Sequence, residues 1–94
     1  MSIDFASHLV VQGGEEIELT ATEYRIISYL AQNAGKVVTP DSILNRVWGE
    51  EYSGENHMLQ VNIARLRKKL NEDSENPKYI TTRPGIGYMM VKPD

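Results

Sequence analysis

The chain has 94 residues, 24% of them charged, with a formal net charge of −3 and no cysteine. That length suits a single domain over residues 1–94, burying roughly 60–65% of its unfolded surface with no need of disulfide or metal staples. The lack of cysteine excludes thiol nucleophiles and cysteine metal sites and fits a reducing cytoplasm, while no apolar run nears the ~18 residues of a membrane span.

Residues 1–19 alternate briefly and turn often. IDF, HLVVQ and EEIELT, the last two divided by Gly13-Gly14, predict two or three short antiparallel strands. Such a small sheet cannot stand alone in water and must lay its apolar side on helices. Thr20-Ala-Thr-Glu23 is a capping box that starts a helix. Tyr24, Ile26, Ile27, Leu30 and Ala31 form its buried stripe, and Asn33-Ala-Gly35 its stop. Thr39-Pro40 begins a second helix, with Ile43, Leu44 and Val47 facing inward and Gly49 ending it. Glu50 to Gly54 reads as a loop, longer than a simple helix-turn-helix connection requires.

The third helix, Glu55 to Leu70, shows two faces. Leu59, Ile63, Leu66 and Leu70 are spaced four, three and four apart, one apolar stripe. The opposite side mixes His57, Gln60, Val61, Ala64, Arg65 and Lys68. Base reading uses that mixture: arginine forks onto guanine, amides pair with base edges, small apolar groups meet thymine methyls and lysine anchors phosphate. Taken alone, the helix equally fits a core helix with a solvated outer side. Arg65 lies mid-face, placed to donate twice to guanine, whereas Arg67 is displaced around the helix, towards a phosphate contact or a salt bridge. Asn71 to Pro77 is a polar loop, and Tyr79–Thr82 and Tyr88–Val91 predict a hairpin across Arg83–Gly87 with an arginine at its tip.

The negative total charge looks wrong for a nucleic-acid binder, but its distribution does not. Residues 1–54 hold three cations against eight anions, whereas Glu55 to Leu70 hold four cations against one anion. A local basic face on an acidic body is compatible with DNA, because the relevant field acts over about one Debye length, ~10 Å at 0.1 M salt.

Catalytic and metal chemistry find no constellation. The only histidines, His8 and His57, are 49 positions apart, and Glu15-Glu16 and Glu50-Glu51 are adjacent acids that diverge on a strand or loop. Gly85-Ile-Gly87 is a turn, since no helix follows it to cradle a phosphate. No enzyme activity, cofactor or metal is therefore expected. A basic helix that fits the major groove, a capped helix before it and a hairpin beside it point to duplex DNA recognition. The rival is a protein-contact module whose interface is Glu50, Glu51 and Tyr52.

Four segments in order carry a family resemblance: Leu19-Thr-Ala-Thr-Glu-Tyr24; Gly35-Lys-Val-Val-Thr39 leading to Val47-Trp-Gly49; Val61-Asn-Ile-Ala-Arg-Leu-Arg-Lys-Lys-Leu70; and Gly85-Ile-Gly-Tyr88. Together they resemble the winged-helix effector domain of two-component response regulators of the OmpR/PhoB type, over essentially the whole chain. The fold implied is α+β: a short N-terminal antiparallel sheet, three helices and a C-terminal hairpin wing.

The resemblance implies that 55–70 is the recognition helix. Gln60, Val61 and Arg65 match base-reading positions; Trp48, His57, Met58, Arg67 and Thr82 match backbone-contacting ones, with Lys68 beside them. It also implies a wing at 83–88 with Arg83 near the minor groove, and contact with RNA polymerase through the loop holding Glu50, Glu51 and Tyr52. Binding is expected on direct repeats, as a head-to-tail dimer on DNA and a monomer in isolation.

Two departures stand out: Pro84 occupies the place where the wing usually has arginine, and His57 and Met58 replace the usual arginine and hydroxyl. A shallower salt dependence of binding is expected, since every phosphate left without a protein partner lowers the slope by about 0.9. The Pro84-Gly-Ile-Gly-Tyr88 wing is similar to that of potassium-transport regulators within the family. Family members carry an N-terminal receiver domain with a phosphorylated aspartate, which 94 residues do not accommodate. The chain is thus expected to be an effector domain without its phosphorelay partner, Ile3–Phe5 corresponding to the second strand of the family's four-stranded sheet.

Overall fold

A computed structural model describes residues 1–72 and 78–92. Three strands, β1 (Ser2–Asp4), β2 (Leu9–Gln12) and β3 (Glu15–Glu16), form an antiparallel sheet in sequence order. Asp4 Oδ1 accepts from the amides of Ala6 and Ser7 at 3.0 and 3.3 Å and so holds the first turn. Gly13 and Gly14, at φ 59° and 81°, form the second, a pair of left-handed residues that suits a tight hairpin. The third strand is shorter than the alternation of EEIELT predicts. Ile17 still donates to the Val10 carbonyl at 2.8 Å, but the paired strand stops at Glu16 opposite Val11, and Ile17 and Leu19 pack half-buried against the core.

Helix α1 (Ala21–Gln32) starts on the predicted capping box: Thr20 Oγ1 accepts from the Glu23 amide at 3.1 Å and Glu23 Oε1 accepts from the Thr20 amide at 2.9 Å. Tyr24, Ile26, Ile27 and Leu30 are buried as the stripe requires, and Ala31 is half-buried. Helix α2 (Pro40–Val47) is capped by Thr39, whose hydroxyl accepts from the Ser42 amide at 3.1 Å, with Pro40 in the first turn. Its buried side chains are Ile43, Leu44 and Val47.

The loop reading of Glu50 to Gly54 needs correction: Glu50–Tyr52 wind into a single 3-10 turn. It is stapled to α2, with Asp41 accepting from the Gly54 amide at 2.9 Å and Asn45 accepting from the Ser53 hydroxyl at 2.8 Å. The extra residues therefore form a turn with fixed partners.

Helix α3 (Asn56–Lys69) lays Leu59, Ile63 and Leu66 into the core, and Leu70 continues the stripe from the cap position. The hairpin pairs β4 (Ile80–Arg83) with β5 (Gly87–Met90), from Ile80↔Met90 to Arg83↔Gly87. Arg83 is thus the last residue of β4, and the tip is residues 84–86; the predicted turn was one residue too wide at each end. Of the predicted 71–77 loop, residues 73–77 fall outside the described residues.

One pairing escaped the sequence reading. Val38, between α1 and α2, exchanges two backbone hydrogen bonds with Tyr88, at 2.8 and 3.0 Å, while the Gly35 amide donates to the Met90 carbonyl at 2.9 Å. The linker thus lies against β5 as a third strand would. One apolar cluster results, in which the three helices meet Val10 of the sheet and Ile80, Tyr88 and Met90 of the hairpin.

Candidate nucleic-acid interface

With its leucine stripe inward, α3 presents His57, Gln60, Ala64, Arg65 and Lys68 to solvent and leaves Met58 and Val61 half-buried beside them. From His57 to Lys68 this row is roughly 16 Å long at 1.5 Å per residue, about five base-pair steps of B-DNA. A helix of that diameter fits the major groove, so the row has the reach of a half-site. Glu55 precedes α3 without a side-chain cap, which leaves the first-turn amides to water or an anion.

The basic character of this face is smaller than a count of α3 cations suggests. Lys69, itself exposed, pairs with Glu23 Oε1 at 2.5 Å, the carboxylate being 3% exposed. Burial raises the Glu23 carboxyl, but the Lys69 ammonium and the Thr20 amide outweigh it, so its pKa lies below the ordinary value. Lys69 therefore ties the end of α3 to the start of α1.

Arg67 is also occupied. Its Nη2 donates to the Ile80 carbonyl at 2.9 Å and to Thr82 Oγ1 at 2.7 Å, joining α3 to β4. Two residues predicted to touch the DNA backbone independently are thus bonded to each other. The sequence sets Arg67 off the main face, towards a phosphate contact or a salt bridge, but a cation on a helix does not announce its partner. Arg65 and Lys68 are the exposed α3 cations with no ion pair among the described residues.

Beyond α3, Trp48 is half-buried at the end of α2, Thr82 and Arg83 are exposed on β4, and Glu50, Glu51 and Tyr52 are exposed on the 3-10 turn. Burial pushes the Tyr88 phenol above its ordinary pKa, with the Arg67 charge pulling the other way, which places the guanidinium near β5 as well as β4. The hairpin base is braced too. The Glu72 carboxylate accepts from the Tyr79 and Ile80 amides, and Gln12 Nε2 donates to the Tyr79 hydroxyl at 3.4 Å as well as to the Leu70 carbonyl at 2.7 Å. Among the described residues no helix is long and apolar enough to cross a membrane.

The family described as "Transcriptional regulatory protein, C terminal" matches residues 14–90. The transcriptional regulatory protein KdpE of Mycobacterium tuberculosis (strain ATCC 25618 / H37Rv) is 41% identical over 87 residues, 93% of this chain and 38% of that protein. The KDP operon regulator KdpE of Escherichia coli K12 is 39% identical over 91 residues, 97% of this chain and 40% of that protein. Both fit the likeness suggested by the Pro84–Tyr88 wing, and the chain spans about two fifths of the length of these curated relatives. Among solved structures, the Klebsiella pneumoniae RstA DNA-binding domain in complex with RstA box superposes with a TM-score of 0.88 at 32% identity, covering 95% of this chain and 88% of that one. The Thermotoga maritima OmpR/PhoB homolog DrrB gives 0.85 at 37% identity, covering 96% of this chain and 41% of that one. The chain belongs to the family of transcriptional regulatory C-terminal domains, the winged-helix effector domains of OmpR/PhoB-type response regulators.

Proposed function

We propose that this domain binds double-stranded DNA sequence-specifically to regulate transcription, with α3 in the major groove and the 83–88 wing near the minor groove. The observation that carries this reading is the division of α3: Leu59, Ile63, Leu66 and Leu70 are almost fully buried, leaving Gln60 and Arg65 exposed with the half-buried Val61 beside them. These three read base edges. Trp48, His57, Met58 and Lys68 hold the flanking backbone, and Arg83 reaches the minor groove. Thr82 joins them through simple chemistry: its oxygen accepts from Arg67, so its own proton is free to donate to a phosphate.

Similarity to a domain solved on its DNA box supports the same arrangement here. Two copies sit head to tail on direct repeats, and in the full-length regulator a receiver domain controls them. Binding to a randomised duplex pool, measured at several salt concentrations for the parent and Arg65→Ala, tests the assignment. Arg65→Ala is expected to melt normally yet lose about 1–3 kcal/mol of discrimination at one base pair. Equal selectivity in the two proteins would sink base reading by Arg65.

The exposed 3-10 turn supports a separate contact with RNA polymerase through Glu50, Glu51 and Tyr52. Replacing all three by alanine is expected to leave DNA affinity within about twofold and to lower transcription in a reconstituted system, since exposed substitutions rarely disturb a fold. A large loss of affinity would refute this division of labour.

A further inference from the structure

We propose that Arg67 is a positioning residue: it sets the wing against the recognition helix and turns the Thr82 hydroxyl outward, so its effect on DNA passes through Thr82 and Arg83. The inference rests on the proposed DNA reading, but its geometry stands in the protein alone. Nη2 makes both bonds, one to the Ile80 carbonyl and one to Thr82 Oγ1, two residues on along the same strand. Thr82 is paired with Tyr88, and the next pair outward, Arg83 with Gly87, closes the hairpin. Arg67 therefore grips the wing one residue pair from its tip, farther out than the braces from Glu72 and Gln12 at the base.

Burial argues the same way. Arg67 is half-buried, and its Nε is buried with no hydrogen-bond partner among the described residues. An arginine serving only a phosphate would gain nothing from a buried edge, because an unsatisfied buried donor is costly. A guanidinium packed between helix and hairpin, close enough to Tyr88 for its charge to be felt there, is placed as a strut. With one lone pair of Thr82 taken by a cationic donor, the hydroxyl proton is directed elsewhere. The wing then meets DNA already aimed, which lowers the ordering cost of binding.

A double-mutant cycle separates a strut from a phosphate ligand. Arg67→Ala, Thr82→Val, Arg83→Ala and the two doubles containing Arg67→Ala are compared by fluorescence anisotropy on one operator duplex over a range of salt. Arg67→Ala is expected to weaken binding about tenfold in the parent and less than about threefold where Thr82 or Arg83 is already changed, the non-additivity that marks coupled residues. Full additivity, with a further drop of about 0.9 in the salt slope on removing Arg67, would make it an independent phosphate ligand and overturn the proposal.

Nitrogen-15 relaxation of the DNA-free protein gives a second readout. Arg67→Ala and Thr82→Val are both expected to loosen the amides of Arg83 and residues 85–87, while Arg65→Ala leaves them unchanged. Thr82→Val matters here because it removes the outer of the two Arg67 bonds without touching α3. A wing as rigid in both variants as in the parent would overturn the proposal. If Arg83→Ala alone leaves affinity intact, the minor-groove reading fails, and relaxation still decides whether Arg67 braces the wing.

Discussion

Leu66→Glu is expected to unfold the domain. Leu66 is fully buried in the middle of α3, facing the cluster in which the three helices meet. Truncating such a leucine costs about 2–5 kcal/mol in packing alone. The substitution also forces a carboxyl group into an apolar site with no planned partner, where it must either stay charged at high cost or take up a proton. Total stability for a chain this size is only about 5–15 kcal/mol, so the two penalties consume most or all of it. Circular dichroism should show no cooperative melt near neutral pH, and DNA binding should disappear. Arg65→Ala, one residue away on the opposite face, should keep both its helix signal and its melting transition. A normal melt for Leu66→Glu would mean that the two faces of α3 had been exchanged, and every assignment to the DNA face would fall with them.

That contrast depends on features legible in the sequence because they are local. Thr20 and Glu23 form a capping box at a fixed spacing of three, and Thr39-Pro40 marks a helix start wherever it packs. The α3 leucines repeat with the helical period, so their burial follows as soon as a core exists. Alternation is a weaker guide. EEIELT alternates throughout, yet only Glu15 and Glu16 pair with β2, because strand length depends on a partner elsewhere in the chain.

Long-range polar partners were illegible for a related reason. Nothing about Lys69 says that Glu23, 46 residues earlier, will pair with it, and nothing about Arg67 distinguishes a strut from a phosphate contact. All four α3 cations count towards a basic segment in the sequence, whereas two of them bond within the fold. With two of the four bonded within the protein, the DNA recognition proposed here relies on base contacts and a braced wing more than on bulk charge. A modest non-specific affinity, and so a wider gap between specific and non-specific sites, follows from that balance.

The two wing glycines carry the same lesson and should differ sharply when each is replaced by alanine. Both read as turn residues in sequence. Gly85 earns that reading: its φ is 76°, and an added Cβ would meet nothing within 4 Å. Alanine there costs the left-handed strain of one residue, about 1–2 kcal/mol. Gly87 has no such backbone requirement, yet an added Cβ would lie 2.0 Å from the Val38 carbonyl oxygen and 2.9 Å from its carbon. Those are backbone atoms of the segment that exchanges two hydrogen bonds with Tyr88, so neither side can yield by a rotamer change. Relief requires the α1–α2 linker to leave β5, giving up two hydrogen bonds at about 0.5–1.5 kcal/mol each along with the packing of Val38 and Tyr88. Gly87→Ala is therefore expected to cost about 3 kcal/mol or more, to lower the melting temperature well below that of Gly85→Ala, and to speed hydrogen exchange at the Val38 and Tyr88 amides first. Because the hairpin hangs on this contact at one edge and on Arg67 at the other, operator affinity should fall with it even at temperatures where α3 remains folded. Equal melting temperatures for the two alanine variants would show that the linker is not held against β5, and the wing would then depend on its braces to α3 alone.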